Sequence, residues 1–164
     1  MNGSITLNVD TPIGPLDVTL SKYAIQRIDF DGVAPKGPVP KPIQPLFSQF
    51  RLQLEEYFSG RREVFDLALE PRPAGTDFQT IVWETLKDIP YGEVISYQDL
   101  AVWSGRPRAT RAAGAACGAN RIPILIPCHR VVGKATLGGY GGGLGIKKTL
   151  LKLERDRLLD KLIE

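Results

Sequence analysis

Residues 96–118, SYQDLAVWSGRPRATRAAGAACG, carry the reading that decides the fold. Ser96-Tyr-Gln-Asp99 is suited to open a short helix that runs to Trp103, and Ser104-Gly-Arg106 is a turn. Pro107 fits the first position of a second helix, which the spacing predicts to reach about Cys117 and to stop at Gly118. Two short helices joined by a glycine-containing turn make a helix-turn-helix candidate, a pattern that helical hairpins without any nucleic acid also share. The second helix narrows the choice. Its side chains are mostly alanine and glycine, and Arg108 and Arg111 are the only long ones. One small-residue face suits close packing in a core. If the opposite face is small as well, the helix can approach a narrow groove while an arginine reaches further.

Working outward, Thr76-Asp-Phe-Gln79 has the form of a capping box, in which the Thr hydroxyl and the Gln side chain each satisfy a free backbone N–H. Phe78, Ile81, Val82, Thr85, Leu86 and Ile89 form the expected inward face of that helix, and Pro90-Tyr-Gly92 ends it. Upstream, Glu70-Pro-Arg-Pro-Ala-Gly75 is the expected domain boundary. The first third reads as strands: Leu16, Val18 and Leu20 alternate with Asp17 and Thr19, and Ile28 and Phe30 flank Asp29. The segment 33–45 holds five prolines and predicts an extended surface loop. A helix follows on Leu46, Phe47, Phe50, Leu54, Tyr57 and Phe58, stopping at Ser59-Gly60. Val64, Phe65, Leu67 and Leu69 suggest a further strand. The expected fold is α/β in the α+β sense. A small sheet-plus-helix domain covers residues 1–72, and a mainly helical domain with the helix-turn-helix covers 76–164.

Hydrophobic residues at 43% and charged residues at 24% describe an ordinary globular composition. The N-terminus lacks a signal pattern and no apolar run is long enough to span a bilayer. Two cysteines, Cys117 and Cys128, make no secreted disulfide framework, so a reducing cytoplasm is expected. The net charge of +3 hides an asymmetry: residues 1–95 sum to −4, while residues 96–140 carry six basic groups against Asp99 alone. A basic middle segment points to a polyanionic partner or to a solvated basic face.

The chemistry concentrates at Ile122-Pro-Ile-Leu-Ile-Pro-Cys-His-Arg130. An apolar run ends in a thiol and in the chain's one histidine. A thiol is a weak nucleophile until ionised. An imidazole within reach can take its proton, and a carboxylate can orient the imidazole. The last helix, from about Gly145, places Glu154 on a stripe with Ile146, Leu150 and Leu158. A carboxylate in an apolar stripe needs a partner, either a nearby arginine or His129. Cys117, Cys128 and His129 are too few and too closely spaced for a structural zinc site, so no metal or cofactor is expected.

The segment IPILIPCHRVV, with Asn120 before it and Gly138-Gly-Tyr-Gly-Gly-Gly143 after it, resembles the active-site segment of the O6-alkylguanine-DNA alkyltransferases. TPIGPL, Tyr57-Phe-Ser-Gly60, GTDFQTIVWETLKDIPYGEVISYQDLA and LLKLE extend the resemblance over most of the chain. It implies that Cys128 accepts an alkyl group from guanine O6 once and irreversibly, and from thymine O4 as well. His129 would take the thiol proton through a water, Glu154 would polarise His129, and Asn120 would brace the turn. Tyr97 would help rotate the nucleotide out and protonate the leaving guanine, and Arg111 would fill the vacated space in the duplex. Arg108, Ala112, Ala113, Gly114 and Arg130 would be further DNA contacts. Val131, Tyr140, Gly141 and Gly142 would line the alkylguanine pocket. The implied partner is double-stranded DNA bound through its minor groove by a monomer, with cooperative binding along DNA left open. Arg121 stands where many relatives have proline, which predicts a looser turn. The 133–139 loop is short, and Gly141 replaces a serine of some relatives.

Three rivals are weaker. A lesion sensor that binds alkylguanine without reacting would lack the cysteine. A cysteine hydrolase leaves the small-residue helix unexplained. A plain regulator would bind a specific sequence and ignore alkylation.

Overall fold

The computed structural model describes residues 3–163, with side chains as far as Asp156 in the last helix. Leu158, expected on that helix's buried stripe, lies outside the described side chains. The chain divides into two compact units, residues 1–73 and 74–164. No helix among the described residues is long and apolar enough to cross a membrane.

The first unit is built on an antiparallel meander, β1 (Ile5–Val9), β2 (Leu16–Leu20) and β3 (Ile25–Phe30). Leu16, Val18 and Leu20 are buried and the residues between them are not, as the alternation of β2 predicts. β1, which the sequence reading did not single out, alternates Ile5, Leu7 and Val9 with Thr6 and Asn8, and Leu7, Asn8 and Val9 are all buried. Asn8 tolerates burial by donating to Asp17 Oδ1 at 3.0 Å. The expected strand at 64–69 is a correction: the segment is irregular and makes a single bridge, Leu69 to Ile25. Gln53 from the neighbouring helix binds both backbone groups of Asp66, taking the place of a strand partner. That helix, α1 (Gln44–Phe58), starts inside the expected loop because proline is tolerated in a helix's first turn. Its buried face is Phe47, Phe50, Gln53, Leu54 and Tyr57.

In the second unit, α2 (Asp77–Leu86) starts at the Thr76–Gln79 capping box. Its inward face is rotated from the expected one. Ile81 is exposed, whereas Trp83 is buried and donates from Nε1 to the Ala116 carbonyl at 2.9 Å. β4 (Ile95–Ser96) leads directly into α3 (Tyr97–Trp103), which Ser96 and Asp99 cap reciprocally. α4 (Thr110–Gly118) begins three residues later than Pro107 suggested. The Ala109 N–H donates to the Arg106 carbonyl at 2.9 Å, so residues 106–109 close a turn and Arg108 sits in it. β5 (Val131–Val132) pairs in parallel with β4, Ile95 opposite Val131. α5 (Leu144–Ile163) closes the described chain. The apolar run is core: Ile122, Ile124, Leu125 and Ile126 are all buried. Each such side chain contributes roughly 1.5–3 kcal/mol relative to exposure.

Candidate active site

Three sequence-distant elements meet around residues 128–131. Cys128, His129 and Arg130 form one 3-10 turn, and all three are buried. The turn is fixed from behind by Asn120. Its side-chain amide donates to the Ile126 carbonyl at 2.8 Å, and its Oδ1 accepts from the Ile122 N–H at 3.0 Å. The Ile126 N–H closes the same loop onto the Ile122 carbonyl at 2.9 Å. The looser turn expected from Arg121 is therefore not found. Arg121 instead donates to the Ala119 carbonyl at 3.2 Å. Ile124 sits in the left-handed region with φ 74°. A β-branched residue there costs roughly 1–3 kcal/mol and persists only where the surroundings impose it.

Both alternatives for Glu154 hold at once. Its Oε1 lies 2.7 Å from His129 Nε2 and 2.9 Å from Arg130 Nη2, and its Oε2 accepts from Arg130 Nε at 3.0 Å. Arg130 Nη1 donates to the Ile89 carbonyl at 2.7 Å. Burial alone works to raise the Glu154 carboxyl, but the hydrogen bonds from His129 and Arg130 prevail and hold it at about 2. Burial lowers the His129 imidazole below its ordinary value, against the pull of Glu154, so it is neutral at pH 7. With Nε2 engaged by the carboxylate, His129 Nδ1 is buried without a hydrogen-bond partner among the described residues.

The two thiols are free and unequal. Cys117 Sγ donates toward the Cys128 carbonyl at 3.8 Å. Its hydrogen bond to the Cys128 side chain lowers the Cys128 thiol, helped by Asn120 and the charge of Lys147 and opposed by burial. The same interaction, with burial, raises Cys117. Of the two, Cys128 is thus the thiol whose ionisation the surroundings favour.

Tyr97 stands at the start of α3, where the β4–β5 pairing brings it to the segment after Cys128. A Cβ on Gly114 would lie 3.4 Å from the Tyr97 ring, and one on Gly138 would lie 2.4 Å from its hydroxyl. The ring is therefore held between α4 and the 133–143 loop. Burial raises the Tyr97 phenol, so it stays protonated.

Two expected DNA contacts are corrected. Arg130 is buried and its guanidinium is taken up by Glu154 and Ile89, so it does not reach a groove. Ala113 is fully buried against the interior. The exposed residues of α4 are Thr110, Arg111, Ala112, Ala115 and Gly118, with Gly114 half-covered beside Tyr97. Arg108 is exposed in the preceding turn. Of the expected pocket, Val131 is buried, Tyr140 and Gly142 are half-buried, and Gly141 is exposed. A cavity of about 930 Å³ in the first unit, lined by Asp10, Lys36, Gln44 and Arg51 among others, includes none of these residues.

The sequence reading missed Lys147. It is fully buried, and its Nζ donates to the carbonyls of Val131 at 2.7 Å, Leu137 at 2.5 Å and Gly139 at 3.1 Å. Burial lowers its ammonium, yet three acceptors need three N–H donors, which only the charged form supplies. Lys147 ties both ends of the pocket loop to α5. Its signal was its place on the helical face of Leu150 and Glu154.

Two family models match the chain. The DNA-binding domain of 6-O-methylguanine DNA methyltransferase matches residues 77–156, and its ribonuclease-like domain matches residues 6–71. A methylated-DNA–protein-cysteine methyltransferase of Methanosarcina barkeri is 44% identical over 92% of this chain and 96% of its own. One from Haemophilus influenzae is 42% identical over 92% of this chain and 86% of its own. The crystal structure of Mycobacterium tuberculosis OGT in complex with DNA superposes with TM-score 0.81 at 40% identity, covering 93% of both chains.

Proposed function

Because this chain belongs to the methylated-DNA–protein-cysteine methyltransferase family and so performs DNA repair by alkyl transfer, we propose that Cys128 is the acceptor of an alkyl group from O6-alkylguanine in duplex DNA, and from O4-alkylthymine. The observation that carries this reading is the relay behind the thiol. Glu154 holds His129 Nε2, which leaves the buried Nδ1, on the residue next to Cys128, as the free acceptor. His129 takes the thiol proton through a water. The thiolate attacks the alkyl carbon, the carbon–O6 bond breaks and a thioether forms. Tyr97, kept protonated by burial, donates to the leaving guanine. The phenolate and the imidazolium left behind neutralise each other through solvent. A thioether has no route back to thiolate, so each molecule reacts once.

A base inside a duplex does not expose O6 to a buried thiol, so the nucleotide must rotate out. We read α3 and α4 as a helix-turn-helix that enters the minor groove, where the small exposed face of Ala112, Ala115 and Gly118 permits close approach. Arg111 fills the vacated space, Arg108 contacts the backbone, and Val131, Tyr140, Gly141 and Gly142 hold the flipped base with Gly114 and Asn120 shaping the site. The protein acts as a monomer in the reducing cytoplasm.

Intact mass after incubation with O6-methylguanine duplex tests the assignment. One methyl should be added per molecule, Cys128→Ser should abolish the addition, and Cys117→Ser should retain it. Repeated turnover, or an adduct on Cys117, would overturn it.

A further inference from the structure

We propose that Arg106 is a preformed phosphate-binding group that extends the DNA surface from α4, across the α3–α4 turn, to the first turn of α2. The inference rests on the DNA-binding reading above. The Arg106 guanidinium lies 4.4 Å from the centroid of the Phe78 ring. Its side chain is exposed and has neither a hydrogen bond nor a carboxylate partner among the described residues. Elsewhere Arg27, Arg62, Arg72 and Arg130 each meet a carboxylate. Arg106, Arg108 and Arg111 lie within six residues and none of them does.

Both halves of the stack are fixed in advance. The Arg106 N–H donates to the Ala101 carbonyl at 2.9 Å and its own carbonyl accepts from the Ala109 N–H. Gly105, at φ 84°, and Pro107 flank it. Phe78 sits in the turn that the Thr76–Gln79 box caps. A guanidinium laid on a ring is restrained in its plane, while the N–H edge still points outward and can grip a phosphate with two parallel hydrogen bonds. The usual loss of rotamer freedom on binding is thus met before DNA arrives. A residue that only covered Phe78 would need no planar, unpaired charge. Three clustered like charges also repel one another, and a polyanion relieves that repulsion.

The test is fluorescence anisotropy of the full chain on an unmodified duplex across a salt series, beside single-turnover transfer from free O6-benzylguanine. Arg106→Gln should weaken duplex binding several-fold at low salt and reduce the log–log salt slope by about one counterion. Phe78→Leu keeps the charge and removes the platform, so affinity should fall with the slope unchanged. Arg106→Lys should keep the wild-type slope with intermediate affinity. The rate on free base should match wild type in every variant, which also verifies folding. Wild-type affinity and slope in Arg106→Gln would overturn the proposal and leave Arg106 as a cover for Phe78. So would Arg106→Lys behaving as Arg106→Gln does. A wild-type protein whose duplex binding ignored salt would instead overturn the DNA-binding reading itself.

Discussion

Glu154 shows how one side chain is committed by its neighbours. It is fully buried and takes hydrogen bonds from His129 and Arg130, so both its charge and its geometry are fixed. Glu154→Gln should therefore act twice. Arg130 would be left buried without a counter-charge, at a cost of roughly 3–5 kcal/mol. His129 would lose the carboxylate that favours its protonated form, so single-turnover transfer should slow and its pH dependence shift. The carboxyl is at about 2 in the fold against an ordinary 4.5, so its stabilisation is complete above pH 4.5 and fades as pH falls toward 2. The stability gap between wild type and Glu154→Gln should follow that window in denaturant melts. A gap independent of pH there, with an unchanged transfer rate, would reduce Glu154 to packing. The need for a Glu154 partner was legible in its apolar stripe. That Arg130 would share it with His129 was not, because a basic residue beside a reactive pair reads equally well as a phosphate contact. Only the three-dimensional position of α5 decides between them.

At the scale of elements, the position of Tyr97 depends on two glycines in different segments. On α4, a methyl at Gly114 would stand in ordinary contact with the ring, 3.4 Å away. In the pocket loop, a methyl at Gly138 would stand 2.4 Å from the hydroxyl, on a backbone with φ 74° that already disfavours any side chain. Gly138→Ala should consequently displace Tyr97 and slow transfer by tenfold or more on the order of one lost proton donor, while Gly114→Ala stays within a few-fold of wild type. Equal effects in single-turnover assays would contradict this division. Elements with local causes were readable: the boxes at Thr76 and Ser96 need only residues three apart. Pro107 misled because a proline that suits a helix start also suits a turn, and Arg106 and Ala109 close that turn. Lys147 was hidden for another reason. Its partners are backbone carbonyls of the pocket loop, and carbonyls carry no sequence signature.

The whole molecule holds its titrating groups unevenly. In the second unit, burial depresses the His129 imidazole from 6.5, so the unfolded chain gains a proton first and stability declines as pH falls through that value. Glu154 adds a further loss below 4.5. In the first unit burial opposes, and hydrogen bonds from Asn8, Ala34 and Val33 achieve, a lowered Asp17 carboxyl, whose contribution is lost only below 3.8. Acid should thus open the second unit before the first. Hydrogen exchange followed by mass spectrometry at pH 4–5 should show protection falling in residues 77–156 while β1–β3 stay protected. Simultaneous loss in both units would refute it. The mixed α and β architecture was legible because strand alternation and helix caps are local. The rotation of α2, with Trp83 inward and Ile81 outward, was not, since an Ile and a Trp satisfy the same apolar period and α4 selects between them.

The hydrogen bond between His129 and Glu154 also gives the protein a built-in reporter. His129 is the chain's one histidine, so an imidazole nitrogen spectrum contains a single residue's pair of signals, free of assignment ambiguity. The Nε2 resonance should carry its proton toward the carboxylate, and the Nδ1 resonance should show an unprotonated nitrogen except while it holds the thiol proton. Watching that one pair through a reaction would follow the relay nitrogen by nitrogen, with no label placed anywhere else.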